Sequence, residues 1–553
     1  MRVRTGVRLL AALVLALTAM TVSLSSNAHA DSYQRISGEG SSWAFNAIDA
    51  MRVNVKQFGI TVDYNPSGSS AGRKDFLNGT VDFAASDIPF QFHPEDGSPP
   101  ENPQPGSYAY IPVVAGGTSF MYNLKINGQQ VTNLRLSGLN VAKIFTGAVT
   151  KWNDPAIQAD NPGLTMPDRT IVPVVRSDGS GSSDQFTRWM IHTHNDIWMA
   201  FCNRSGRAPK CGDTSYYPTV PGMIAQSRDE GIAGYVSQSF AEGAIGYVNY
   251  SYALNTQFPV AKVLNAAGYY TEPTPQNVAV SLLKARINFD QNSQDYLTQI
   301  LDDVYTDTDD RNYQLSSYSY FILPTKVQGQ FNTDKGKTLG AFTYYAMCQA
   351  QQQSASLGYS PLPVNLVKAS LDQIKKIPGV VVENVDISKC NNPTFSPDGT
   401  NVLALNAPHP PPCDKQGPTQ CATGTGGLAK KSTPVKPGAS GGGPSRAAGP
   451  GGRGAAGAGA GAASGSTGAA GAAGSTGAAA CDPTLGSCDA GANGGGGSDN
   501  SGDLAVGGQA ATVLPGAKGW GSSQTLMVFI TLLVLALLIL PPAVWQRLSG
   551  TKQ

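Results

Sequence analysis

The sequence predicts an α/β fold followed by a long tail with no core of its own. Three observations carry that reading. Between Asp31 and about Asn392, short apolar runs alternate with stretches whose apolar residues recur at helical spacing. Three of the junctions between a run and the next helix are loops of Gly and Ser. From about Asn401 the composition turns to Pro and then to Gly, Ala and Ser, and the excess of the chain's 64 glycines sits there.

The first residues precede the fold. Arg2 and Arg4, an apolar run from Leu9 to Val22 and the small-residue site Ala28-His29-Ala30 read as a secretory signal peptide over residues 1–30, cleaved before Asp31. The protein is therefore expected to be exported. A net charge of +1 with only 14% charged residues leaves no basic stripe, which argues against a nucleic-acid partner.

The first unit runs from Ile36 through Gly38-Glu39-Gly40-Ser41-Ser42-Trp43 into a helix. Ile48, Met51, Val55 and Phe58 give that helix its apolar face, and Ser42 is placed to cap it. Thr61 to Tyr64 reads as a strand, and Ser67 to Gly72 opens a helix that reaches Leu77. Val81 to Ala84 is a further strand, ending in Ser86-Asp87, so an acid stands beside two Gly/Ser loops. Residues 93–108 are rich in Pro and acid and read as a surface loop. Tyr110 to Tyr122 is expected as a pair of strands around Gly116-Gly117.

The third Gly/Ser loop is the most informative. The apolar run Ile171 to Val175 ends in Arg176, and Ser177 to Ser183 opens an amphipathic helix faced by Phe186, Trp189 and Met190. A helix start offers backbone N–H groups without intrahelical partners and the positive end of the helix dipole. Glycines let a ligand approach, serines add donors, and an arginine adds a planar fork. Together these describe a seat for an oxyanion. Taken alone, the stretch is explained equally well as a capped helix with a surface arginine. His192 and His194, two apart on a helix, point away from each other and make no metal pair. Ala244 to Val248 and Tyr320 to Leu323 are expected as buried strands, and Gly340 to Ala350 as a helix.

Eight cysteines suit an exported protein, and none precedes Cys202. Cys202 and Cys211, Cys413 and Cys421, and Cys481 and Cys488 are near neighbours, with Cys348 and Cys390 as a longer pair. Local disulfides are expected, although spacing alone leaves the connectivity open. The spacings match no C-x-x-C metal pattern, and no histidine completes one. Residues 401–523 read as a low-complexity flexible linker, a coil spanning about 60 Å root-mean-square. Residues 524–546 are apolar enough for one transmembrane helix, with Trp545 at the interface. Arg547 and Lys552 place residues 547–553 on the cytoplasmic side.

Four segments, in this order and at this spacing, resemble the phosphate-binding protein of bacterial phosphate-specific ABC transporters. They are Gly38 to Trp43, Gly68 to Gly72, Val81 to Asp87 and Arg176 to Ser182, with weaker support from Lys151-Trp152-Asn153-Asp154, Asn161 to Leu164 and Gly246-Tyr247-Val248. The resemblance covers about Ile36 to Leu366. It implies a two-lobed periplasmic-binding-protein-like fold of type II over residues 31–400. Lobe 1 would hold about 31–112 and 320–400, and lobe 2 about 113–319. It also implies that inorganic phosphate is held between the lobes by Ser42, Trp43, Ser69 and Asp87 from one side. Arg176, Ser180, Gly181 and Ser182 would contact it from the other, with Asp178 steadying Arg176 by an ion pair. ABC permease subunits are the implied partners, the protein itself a monomer with no cofactor. Ser42 and Ser182 stand where the family often has Thr, and Trp43 where it often has Phe. The C-terminal span in place of an N-terminal lipid site is a further departure.

The acid has a physical role in that scheme. Phosphate near neutral pH keeps a proton, so an ionised Asp87 can accept a hydrogen bond from it. Sulfate has none, and its lone pairs would face the carboxylate unrelieved. Three functions remain open at this point: a tethered phosphate receptor feeding a transporter, a surface phosphate sensor or adhesin, and a secreted phosphatase. Catalysis needs a nucleophile beside a base or a metal, and His93, His192 and His194 make no such pairing.

Overall fold

The computed structural model describes residues 33–396 and 398–439. The expected signal peptide at 1–30, residues 440–523 of the expected linker with Cys481 and Cys488, the expected span at 524–546 and the expected tail at 547–553 lie outside the described residues. Among the described residues no helix is long and apolar enough to cross a membrane.

Eight strands position the site: β1 (Ile36–Gly40), β2 (Val62–Asn65), β3 (Phe83–Ser86), β4 (Tyr108–Tyr122), β5 (Val172–Arg176), β6 (Ile224–Gln226), β7 (Ala244–Asn249) and β8 (Ser316–Pro324). They are hydrogen-bonded in the order β2-β1-β3-β8-β4-β7-β5-β6. β2, β1 and β3 are parallel, and so are β7, β5 and β6. β8 runs antiparallel to β3, and β4 antiparallel to β7. Each half is thus a parallel three-stranded set closed by a strand that crosses to the other half. Five helices matter here: α1 (Phe45–Asn54), α2 (Ser69–Leu77), α3 (Gly181–Thr193), α4 (Arg228–Val236) and α5 (Thr333–Met347).

Two local expectations need correction. Tyr110 to Tyr122 is not a pair of strands but most of the single strand β4, whose 15 residues are all buried. Its first part pairs with β8 as far as Gly117, and from Thr118 it pairs with β7. Gly116-Gly117 therefore mark the passage from one lobe to the other, four residues later than the boundary drawn at 113. Close packing, not a turn, explains the glycines. A Cβ at Gly117 would lie 2.2 Å from Pro273 Cβ, and one at Gly116 2.8 Å from the Trp43 ring. The second correction concerns Ser42, which does not cap α1. The hydroxyl of its neighbour Ser41 accepts the Ala44 N–H at 3.0 Å, leaving the Ser42 side chain for another task.

The amphipathic reading of α3 is realised. Phe186, Trp189 and Met190 are buried, and Phe186 packs among Phe120, Phe145, Tyr217 and Tyr247. Burying one such ring contributes roughly 1.5–3 kcal/mol, which fixes the start of the helix against β5 and β7. His192 is exposed at its end, and half-buried His194 meets the Trp189 ring edge-on.

Residues 401–439, expected as the first part of a flexible linker, are docked instead. Val402–Leu405 forms a helical turn whose Ala404 packs with Ala279 and Val280. Asp414 pairs with Lys262, and the carbonyls of Cys413 and Thr419 accept from Arg135 Nη1 at 3.0 and 2.9 Å. Asn133 Nδ2 donates to the Cys421 carbonyl at 2.8 Å, and Thr425 Oγ1 accepts from Val260 N at 3.1 Å. Residues 401–439 are thus a strap laid over lobe 2. The Pro-rich composition concealed it, because its partners are buried side chains and backbone of the lobe and not apolar residues of its own.

Among the described residues three disulfides are present, Cys202–Cys211, Cys348–Cys390 and Cys413–Cys421. Cys348, at the end of α5, is tied to Cys390, 42 positions away and ahead of the strap. Chain entropy assigns such a loop roughly 4 kcal/mol. Replacing Cys348 and Cys390 together by Ser is expected to lower the urea midpoint, with a steeper slope because the unfolded chain is less constrained. An unchanged midpoint would show that the segment ending in Cys390 is held without the bond.

Candidate functional site

Five loops leave the carboxyl ends of parallel strands: those after β1, β2 and β3 in lobe 1, and after β5 and β6 in lobe 2. The β4 and β8 crossings lie between them, which is where sheets of this kind bind ligands. Every residue singled out from the sequence sits on one of the first four loops or on the helix that follows it.

Lobe 1 contributes a buried acid in a cage of hydroxyls. Asp87, 2% exposed, follows β3. Its Oδ1 accepts from Ser41 Oγ at 2.6 Å and from Ser319 Oγ at 2.8 Å, and its Oδ2 from Ser69 Oγ at 3.2 Å. A carboxylate has about four acceptor sites, so one on Oδ2 remains for a ligand proton. Burial pushes the Asp87 carboxyl up to about 6, against the opposing pull of the Ser41 and Ser319 hydrogen bonds. The nearby Asp229 charge raises it further and Arg176 lowers it.

Lobe 2 contributes a buried cation. Arg176, at the end of β5, is 2% exposed. Its Nε donates to Asp178 Oδ1 at 2.8 Å and its Nη2 to Asp178 Oδ2. Its Nη1 donates to Asp229 Oδ2 at 2.6 Å and weakly to Ser182 Oγ at 3.4 Å. Burial alone would lower the guanidinium pKa, but Asp229 and Asp178 hold it above its ordinary value. Burial alone would raise Asp178, and the Arg176 hydrogen bond and charge leave it below the usual carboxylate range. Asp229, fully buried, is raised by burial, with Arg176 and Ser42 opposing.

Backbone donors complete the cradle. Ser180 caps α3 by accepting from Ser183 N at 3.3 Å, and its hydroxyl lies 2.8 Å from Ser182 Oγ. That pair shares one proton, so the other hydroxyl hydrogen is available to a ligand. The N–H groups of Ser42, Trp43, Ser69, Gly181 and Ser182 have no acceptor among the described residues. The two lobes meet closely around them: Ser70 N donates to the Gly179 carbonyl at 3.0 Å. A Cβ at Gly181 would lie 2.7 Å from Ser69 Oγ and 3.0 Å from Asp87 Oδ2, so only glycine fits there. The Trp43 ring points away into the core, where its Nε1 donates to Thr118 Oγ1 at 3.1 Å. It offers the site its backbone alone.

The structure therefore brings together Ser42, Trp43, Ser69, Asp87, Arg176, Asp178, Ser180, Gly181 and Ser182. Sequence reasoning missed Ser41, Ser319 and Asp229. Ser41 was visible as the neighbour of Ser42. Ser319 reaches Asp87 from β8, 232 residues away, and nothing local marks it. Asp229 lies in the first turn of α4, where an acid is usual for the helix dipole. Among the described residues no group of three or more His, Cys, Asp or Glu is placed to hold a metal.

Residues 25–349 match the model of the PBP superfamily domain. The chain is 31% identical over 317 residues to the phosphate-binding protein PstS 2 of Mycobacterium tuberculosis, covering 55% of this chain and 76% of that protein. It is 30% identical over 320 residues to the phosphate-binding protein PstS of Haemophilus influenzae, covering 58% of this chain and 86% of that one. A solved phosphate-binding protein from Stenotrophomonas maltophilia superposes with a TM-score of 0.46 at 17% identity, over 66% of this chain and 99% of its own.

Proposed function

The chain belongs to the PBP superfamily and, within it, to the phosphate-binding proteins. From that premise we propose that it captures inorganic phosphate between its lobes outside the cell and delivers it to the permease of an ABC transporter. One observation carries the reading: unpartnered N–H groups from both lobes converge with a buried arginine and a buried acceptor acid. The N–H groups of Ser42, Trp43 and Ser69 grip phosphate from lobe 1, and Asp87 accepts a hydrogen bond from its protonated oxygen. Arg176, the Ser180–Ser182 hydroxyl pair and the N–H groups of Gly181 and Ser182 grip it from lobe 2. Asp178 fixes the Arg176 fork and never touches the ligand. Lobe closure on the anion is the expected motion, with β4 and β8 as the hinge strands.

Export and tethering belong to the same proposal. Residues 1–30 have the pattern of a signal peptide, and 524–546 that of a membrane span, so the receptor would work as an anchored monomer. The relatives are named as binding proteins, which favours capture over hydrolysis. Calorimetric titration of the full chain is expected to show one phosphate site of micromolar affinity or tighter, about −8 kcal/mol, and no heat with sulfate. Absence of phosphate binding would sink the assignment.

A further inference from the structure

Ser42 faces a choice that its chemistry cannot avoid. A serine hydroxyl has one proton to give. In this structure Ser42 Oγ gives it to Asp229 Oδ2 at 2.7 Å and accepts the Asp229 backbone N–H at 3.1 Å. Ser42 belongs to lobe 1 and Asp229 to lobe 2, 187 residues apart. The same Asp229 Oδ2 takes Arg176 Nη1, and Oδ1 takes the Asn249 N–H at 2.8 Å. Asp229 is thus a fully buried carboxylate with every tie accounted for on its own lobe except the one that crosses the cleft. Tyr252, also of lobe 2, donates to the Ser42 carbonyl at 2.7 Å, so the same residue is held across the cleft at two atoms.

We propose that Asp229 is a positioning residue that latches the closed cleft through the Ser42 hydroxyl, and that Ser42 serves phosphate by its backbone N–H only. The latch exists only when the lobes meet, because both its atoms lie on opposite sides of the opening. It therefore acts on release. Phosphate enters an open cleft in which Ser42 and Asp229 are apart, and leaves only after their paired hydrogen bonds break. Asp229 also occupies one N–H of Arg176, so the fork is presented to the anion in one orientation. This argument rests on the phosphate-binding reading above.

A double-mutant cycle on the full chain tests it, with the release of radiolabelled inorganic phosphate as the readout. Ser42→Ala is expected to speed release about tenfold, with the association rate changed less than twofold. In an Asp229→Ala background the same Ser42→Ala change is expected to alter release less than twofold, since its partner is already gone. Asp229→Asn keeps an acceptor oxygen, so Ser42→Ala should still speed release several-fold there. If Asp229→Ala does not fold, Asp229→Leu, which fills the space and accepts no hydrogen bond, takes its place in the cycle. A merely structural loss would lower the number of active sites without this coupling in the release rate. Equal acceleration by Ser42→Ala in all three backgrounds would mean that the hydroxyl is spent on phosphate itself, and the latch is overturned. If the unaltered protein binds no phosphate, the functional reading fails first and the latch falls with it.

Discussion

Asp87→Asn is expected to lower the preference for phosphate over sulfate by about 100-fold, close to 3 kcal/mol. Ser41 and Ser319 both donate to Oδ1, so the amide oxygen of Asn settles there and its NH2 takes the Oδ2 position facing the ligand. An acceptor becomes a donor. Phosphate loses the partner for its proton, and sulfate loses the facing lone pairs that excluded it. Competition of sulfate against bound phosphate measures the change directly, and a variant that still ignores sulfate would remove Asp87 from the selectivity argument. The same substitution has a pH counterpart. With its carboxyl raised to about 6, the free protein holds Asp87 ionised at pH 8 and protonated near pH 5. The unaltered protein should begin to admit sulfate below about pH 6, and the Asn variant should show no such transition. Stability moves in the matching direction. A carboxyl raised on folding binds its proton more tightly in the folded state, so the folded state loses stability as pH rises from about 4 through about 6. Above that pH the loss is complete, on the order of 3 kcal/mol, and Asn does not suffer it. The stability of Asp87→Asn relative to the unaltered protein should therefore increase between pH 5 and pH 8. A constant difference would mean that the hydroxyl cage fully offsets the burial.

The parts of this site that the sequence revealed are those with local causes. A Gly/Ser loop between an apolar run and a helix is a helix N-terminus wherever it occurs, and three of them foretold the backbone donors. The ion pair of Arg176 with Asp178 was implied by the family resemblance and not by the spacing of the two residues, and the structure contains it. Ser319 and Asp229 reach the site only because β8 crosses between lobes and α4 begins beside β5. No property of their own neighbours distinguishes them from surface residues. The same asymmetry governs the tail. Composition correctly marked residues 401–439 as poor in apolar side chains, yet these residues dock by hydrogen bonds to Arg135, Asn133 and Lys262. The Cys413 and Cys421 pair was the available signal, since a local disulfide has little purpose in a free coil. Gly116-Gly117 misled in the other direction, looking like a turn where crowding from Trp43 and Pro273 demands an absent side chain.

Arg176→Met is expected to abolish phosphate binding, beyond about 1000-fold, and to cost about 3–5 kcal/mol of folding stability at neutral pH. The second effect is the more revealing. Removing one partner of a buried ion pair leaves uncompensated charge, and here one guanidinium serves Asp178 and Asp229 together while Asp87 lies nearby. Without Arg176 the cleft holds acids alone, so the variant should regain stability as pH falls and they take up protons. That gain should exceed the one Asp87 gives the unaltered protein, where Arg176 holds Asp178 ionised well below the usual range. Adding Asp178→Asn and Asp229→Asn to Arg176→Met removes the stranded charges, and most of the lost stability should return. Phosphate binding should not return, because neither amide replaces the fork of donors aimed at the anion. Urea titrations at pH 5 and pH 8 with parallel phosphate calorimetry separate the two. Recovered stability without recovered binding assigns Arg176 to the ligand and its two acids to Arg176. A triple variant as unstable as the single one would instead place the damage in packing around β5.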